Sequence, residues 1–197
     1  MRAMKTYLLG TLALAAGLAT AVVAAPAHAK SREGVTLEDE VDVAGKHLLL
    51  NGLGVREATV FNVKVYVAGL YLEQKSADAT AILAADQVKR LVMSFKRDVD
   101  ADDLTEAFHD GFEKVLGEAG MKSMSGKIGK LDAALRDVKE GQKIVISYVP
   151  GTGTTIEVGG KAAGVIPGLD FAQALLGIFI GPTPPNAGLK AGLLGKG

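Results

Sequence analysis

The chain has 197 residues, with 22 basic and 22 acidic side chains and no cysteine. Such a balance offers no charged surface to nucleic acid or to an anionic membrane. The missing thiol rules out disulfides and lipid attachment through cysteine, so stability has to come from burial.

The N-terminus reads as a cleavable secretory signal over residues 1–29. Arg2 and Lys5 give the positive start, an uncharged apolar run extends from Tyr7 to Ala25, and Ala27-His28-Ala29 supplies the small-x-small cleavage site. The rival reading is an uncleaved anchor, since the run approaches the about 20 residues that span a bilayer. Its Ala and Gly content and the cleavage site favour export, to the periplasm or out of the cell, with no stable membrane insertion afterwards. Residues 30–197 then form one domain, long enough to bury a core.

Val35 to Val43 alternates as a strand, Ala44-Gly45-Lys46 reads as a hairpin turn, and His47 to Leu53 is the returning strand. Gly52 and Gly54 bracket a bend before Arg56. From Ala58 to Glu73 a long strand is predicted, with Phe61, Val63, Val65 and Val67 on a core face. Its other face begins polar, at Asn62, Lys64 and Tyr66, and ends apolar, at Ala68, Leu70 and Leu72; a solvated face rarely changes character in this way. Ser76 to Ala84 is a short helix with Asp78 as its N-cap, and Lys89 to Arg97 another strand.

The clearest helix runs from Ala101 to Ala119, with an apolar stripe through Leu104, Phe108, Phe112 and Val115 and a cap from Asp100 or Asp98. A second, polar helix is predicted over Lys127 to Lys139. Lys143 to Tyr148 and Thr154 to Val158 make a hairpin, and Gly159-Gly160 turns the chain into a short stretch ending at Pro167. Apolar helices over Leu169 to Ile180 and Ala187 to Leu194 close the chain. The layout is α+β: an antiparallel sheet with helices packed largely on one face.

Motifs for familiar chemistry fail. Asp98-Val-Asp100-Ala-Asp102 opens like a calcium loop, but Asp103 and His109 stand where Gly and Glu are needed. Gly151-Thr152-Gly153 is a turn, too short to cradle a phosphate. His47 stands alone in a strand and His109 on a polar helix face, so no metal, no cofactor and no nucleophile is indicated.

One stretch carries more information: Gly54-Val-Arg56, followed by Asn62-Val-Lys64-Val-Tyr66-Val-Ala68-Gly69-Leu70-Tyr71-Leu72. Phe95-Lys-Arg-Asp98, Gly141, Tyr148-Val-Pro150-Gly151, Gly168-Leu-Asp170-Phe171-Ala172, Ile178-Phe-Ile-Gly181-Pro182 and Leu193-Leu194-Gly195 follow in order. Together they resemble the chalcone isomerase-like superfamily over essentially all of residues 30–197. The resemblance implies an open-faced β-sandwich, a large antiparallel sheet under a layer of helices, with a ligand cleft between them. Its plant isomerases close a flavonoid ring, and other relatives bind fatty acids without catalysis.

In the isomerases an arginine before the long strand stabilises an anionic oxygen, helped by a threonine on the strand and by a tyrosine and asparagine near the next strand–helix junction. Carried over by the resemblance, Arg56 matches the arginine, Tyr66 takes the threonine position, Val99 and Asp100 stand for the tyrosine and Ala107 for the asparagine; a late Thr or Ser falls near Lys161. The fatty-acid binders instead pair the arginine with a tyrosine, as Arg56 and Tyr66 would. Ten residues apart, these two point to one face of an unbulged strand. A guanidinium forks onto a carboxylate and a phenol adds a third donor. Leu70, Leu72, Phe108 and Phe112 are the expected apolar lining, and Tyr71, on the opposite face, is core. The expected partner is therefore a small apolar carboxylate held by Arg56 and Tyr66. Three alternatives stand beside it: an intramolecular lyase using Arg56 as its electrophile, a structural salt bridge at Arg56 with Tyr66 at the sheet edge, and a purely structural, partner-binding role. Neither the ligand nor the oligomeric state is legible.

Overall fold

The structure, a computed structural model, describes residues 29–58 and 63–197. The signal expected over residues 1–29 lies, apart from Ala29, outside the described residues, as do Phe61 and Asn62.

A hairpin of β1 (Ala29–Arg32) and β2 (Val35–Glu38) stands apart as its own two-stranded sheet. The strand expected from Val35 to Val43 is thus two, with β3 (Glu40–Val43) opening the main sheet after a break at Asp39. Ala44 and Gly45 turn the chain with φ of 50° and 76°, the left-handed pair of a two-residue hairpin whose twist matches its strands.

β4 (Lys46–Ala58) is far longer than expected, because Gly52 and Gly54 do not bend it. They let a helix backbone touch the strand. A Cβ on Gly52 would collide with the Gly192 carbonyl oxygen, and one on Gly54 with that of Leu189. The irregularity falls just before them, at Asn51, which bulges out of register as β4 pairs with β5 (Val63–Leu72). The Asn51 side chain is fully used: Nδ2 donates to the carbonyls of Ser76 (2.9 Å) and Leu193 (2.8 Å), and Oδ1 accepts from the Ser76 amide (2.8 Å).

The expected core face of the long strand needs correction. Val63 is 39% exposed, while Val67 is fully buried. From Tyr66 onward β5 is buried on both faces, because the sheet is covered on both. Tyr66, Ala68, Leu70 and Leu72 join the larger core beneath the helices. Val67 and Tyr71 join a smaller core on the other face, to which the β1–β2 hairpin contributes Val35 and Leu37.

α1 (Ala79–Ala84) starts as expected, with Asp78 Oδ1 accepting from the Thr80 and Ala81 amides. After β6 (Lys89–Phe95), the two expected helices appear as one, α2 (Ala101–Ala134), kinked at Gly117. Neither expected aspartate caps it. The Asp100 side chain makes no cap bond, and the Ala101 amide donates instead to Asp137 Oδ1 at 2.9 Å. Leu135 to Val138 leaves the helix so that Val138 bridges Val99. β7 (Lys143–Val149), β8 (Gly153–Val158), β9 (Lys161–Ile166), α3 (Leu169–Ile180) and α4 (Ala187–Leu193) complete the chain.

Among the described residues the main sheet runs β3-β4-β5-β6-β7-β8-β9, antiparallel throughout, with α2 and α3 packed on one face. No described helix is long and apolar enough to cross a membrane.

Replacing Gly54 with alanine should lower stability by about 1–3 kcal/mol, since the new methyl meets backbone that cannot rotate away. Thermal melting of Gly54→Ala checks this; an unchanged midpoint would mean that α4 does not rest on β4.

Candidate functional site

The pairing of β4 with β5 decides where the two candidate ligand-binding side chains go. Arg56 and Tyr66 are direct partners across adjacent strands. They share a face because they oppose one another in register, rather than through even spacing along one strand. Immediately after this pair the register shifts again, Glu57 facing Lys64, so Val65 has no partner on β4 and its carbonyl accepts from the Lys96 amide at 2.8 Å.

Both side chains line a cleft of about 370 Å³ between the sheet and the α2–α3 layer. Its floor is Tyr66, Met93 and Phe95, and its roof includes Leu104, Phe108, Ile178 and Phe179. That volume lies at the small end of the range for small-molecule sites. Three bases and three acids, among them Arg97, Lys114, Asp103 and Asp110, surround its opening, with the Thr183-Pro184-Pro185 turn alongside. Asp98 is occupied there by Lys139 (3.1 Å) and the Glu140 amide (2.9 Å), and these bonds hold its carboxyl below the usual range.

Tyr66 is 7% exposed, its ring tilted against Phe95 at 5.5 Å between centroids. Burial pushes its ionisation well above the ordinary tyrosine value, against a smaller opposing pull from the Arg56 charge. The phenol therefore stays neutral and remains a donor. Among the described residues its hydroxyl has no hydrogen-bond partner. Arg56 is half-buried, and its Nη1 donates to the Glu57 carbonyl. Among the described residues it has no carboxylate partner, so it makes no structural salt bridge there. A fixed cation and an unsatisfied neutral donor thus face one apolar slot, an arrangement suited to receiving an anion.

Of the apolar residues expected to line it, only Phe108 does. Leu70, Leu72 and Phe112 are buried in the same core but away from the cleft. Met93, Phe95, Ile178 and Phe179 take their place; sequence alternation identifies such residues as buried, but only cross-strand register shows which of them adjoin Tyr66. Val99 and Ala107 also line the cleft and bring no side-chain hydrogen-bonding group. Tyr71 is core, its hydroxyl donating to the Glu38 carbonyl at 2.8 Å. His47 is paired with Glu40 and Asp42 and His109 with Asp132, none of them in the cleft. The described residues contain no group of three or more His, Cys, Asp or Glu placed to hold a metal.

Comparison with known proteins fits this geometry. A family model described as chalcone isomerase-like matches residues 29–195. A crystal structure of a fatty-acid binding protein from Arabidopsis thaliana has a similar fold, with a TM-score of 0.67 at 13% identity; the match covers 85% of this chain and 96% of that one. No curated protein sequence matches.

The environments of two of the buried phenols, Tyr66 and Tyr71, lead to a pH prediction. Unfolded tyrosines ionise near pH 10, whereas burial pushes Tyr71 up to about 12 and Tyr66 further. Above about pH 10 the unfolded chain loses protons that the folded one keeps, so stability falls as pH rises. Tyr66→Phe should flatten that loss and leave stability at pH 7 unchanged, since its hydroxyl is unpartnered. Tyr71→Phe should flatten it too, but cost about 1 kcal/mol at pH 7 through its lost hydrogen bond. Melts of both variants from neutral to alkaline pH check this; a neutral-pH loss in Tyr66→Phe would reveal a partner for that hydroxyl.

Proposed function

This chain belongs to the chalcone isomerase-like family, and on that premise we propose that it binds a small carboxylated apolar molecule of the fatty-acid kind and performs no chemistry on it. One observation carries the reading: Arg56 and the neutral Tyr66 hydroxyl, neither of them paired with a side chain among the described residues, stand together at the edge of an apolar cleft. A carboxylate placed there takes a guanidinium hydrogen bond and a phenolic one, each charge-assisted and worth about 1.5–3 kcal/mol. Its tail lies over Met93 and Phe95, gaining about 0.8 kcal/mol per buried methylene. That a solved protein of similar fold is a fatty-acid binding protein supports the same reading.

Ring closure of the isomerase kind is disfavoured by the same cleft. Of the positions corresponding to the isomerase tyrosine (Val99 and Asp100) and asparagine (Ala107), Val99 and Ala107 are in its wall and Asp100 is not, and neither Val99 nor Ala107 has a side chain that can hold a developing oxyanion or a water. Loss of a single such donor costs about 10²–10³ in rate. We further infer that the protein works outside the cytoplasm, as the Ala27-His28-Ala29 site following an apolar run suggests.

Saturating decanoic or dodecanoic acid should raise the melting temperature, by about 2.7 kcal/mol of added stability at a hundredfold excess over Kd. Arg56→Ala should weaken binding about tenfold to a hundredfold. No shift in wild type, an equal shift in the variant, or chalcone ring closure faster than the spontaneous rate would overturn the proposal. Export predicts a mature chain beginning at Lys30, which N-terminal sequencing of the secreted or periplasmic protein checks.

A further inference from the structure

The cleft does not use the whole sheet face on which it lies. On that face β5 and β6 meet in successive rungs, Tyr66 with Phe95, Ala68 with Met93 and Leu70 with Leu91. Tyr66, Phe95 and Met93 floor the cleft. Leu70 and Leu91 floor a second, separate void of about 20 Å³, roofed by Leu175 and Leu176 of α3. From Tyr66 to Leu70 is about 13 Å at the usual strand rise. A straight apolar tail anchored at Arg56 and lying along β5 therefore points from the first space toward the second.

Phe179 borders both spaces. Its ring is buried, and Phe108 braces it edge-on, with centroids 6.3 Å apart and planes at 71°. Phe108 also lines the cleft, so the two rings together form its inner end. Beyond the partition the lining stays mainly apolar, with a few polar groups at its margin: the buried Thr154 hydroxyl has no partner among the described residues, and Lys89, which donates to the Ala85 carbonyl, sits over the Tyr148 ring at 5.7 Å.

We propose that Phe179 sets the length of tail the cleft accepts, as a wall between the anchored slot and the void over Leu70 and Leu91. The inference rests on reading the cleft as an acyl slot. A tail that ends before the ring gains from each added carbon; a longer one must displace the ring or leave the cleft. Removing the ring joins the two spaces and extends the slot by the rung of Leu70 and Leu91. Lys89 and Tyr148 then line the extended slot as well.

The test is a binding series from hexanoic to octadecanoic acid, with a matching series from hexanol to octadecanol, on wild type, Phe179→Ala and Phe179→Leu. In wild type, affinity should rise about fourfold per methylene and then stop rising at one chain length. In Phe179→Ala the stop should move several carbons longer, and in Phe179→Leu by fewer. The alcohols lack the carboxylate, so they read the partition independently of the Arg56 anchor. Acids that bind no tighter than alcohols would sink the carboxylate reading while the stop still tests Phe179. The same stop in all three proteins, no stop in wild type, or no binding of either series overturns the proposal. Should Phe179→Ala lose its fold, as circular dichroism would show, Phe179→Leu decides alone.

Discussion

Everything that positions the cleft depends on how β4 is registered against β5. The two strands pair over most of their length, yet the register slips twice, at Asn51 on β4 and at Val65 on β5. Between the slips the ladder is regular, and it is this stretch that sets Arg56 against Tyr66. Moving the pairing by one residue would turn every side chain in it to the opposite face. Arg56 would then point toward the smaller core, and the slot would lose its cation.

The first slip also fastens the C-terminus. Bulged out of the ladder, Asn51 turns its amide to Ser76 and to the end of α4, making three hydrogen bonds to backbone groups. Gly52 and Gly54, which follow it, leave room for the α4 backbone to lie against β4. In a chain without cysteine, this polar knot and close backbone contact hold the apolar C-terminal helix in place of a disulfide. The Thr183-Pro184-Pro185 turn between α3 and α4 is carried to the cleft opening as a consequence.

The cleft holds its charges in a state of partial dissatisfaction. The Tyr66 hydroxyl has no partner among the described residues, yet it is not one of the side-chain atoms sealed away without one, because its ring lines the cleft. Phenol is a suitable group for the position, since burial keeps it neutral and so never turns it from donor to anion. Arg56 is only half-buried, so water still reaches it. An arriving anion would relieve both groups at once. Tyr71 shows the contrasting case: a phenol on the opposite face whose hydroxyl has a fixed backbone acceptor and no free capacity for a ligand.

Local chemistry was legible in the residues themselves. Asp78 begins a helix because its short carboxylate reaches two free amides, Ala44-Gly45 turns a hairpin, and the apolar run of α3 begins and ends where expected. The order of short motifs placed the chain in its family, and Arg56 and Tyr66 were identifiable from them. Contacts between distant segments were not legible. That β5 is buried on both sides depends on a hairpin thirty residues earlier; that Gly52 and Gly54 serve contact rather than a bend depends on a helix near the C-terminus. Leu70 and Leu72 read as lining and proved to be core, because Phe179 lies between the cleft and Leu70. Residue types and their periods are properties of short stretches and determine which groups are apolar, capped or turned. Which of those groups meet around an empty space is set by register and packing across the whole chain, and only the tertiary structure decided it.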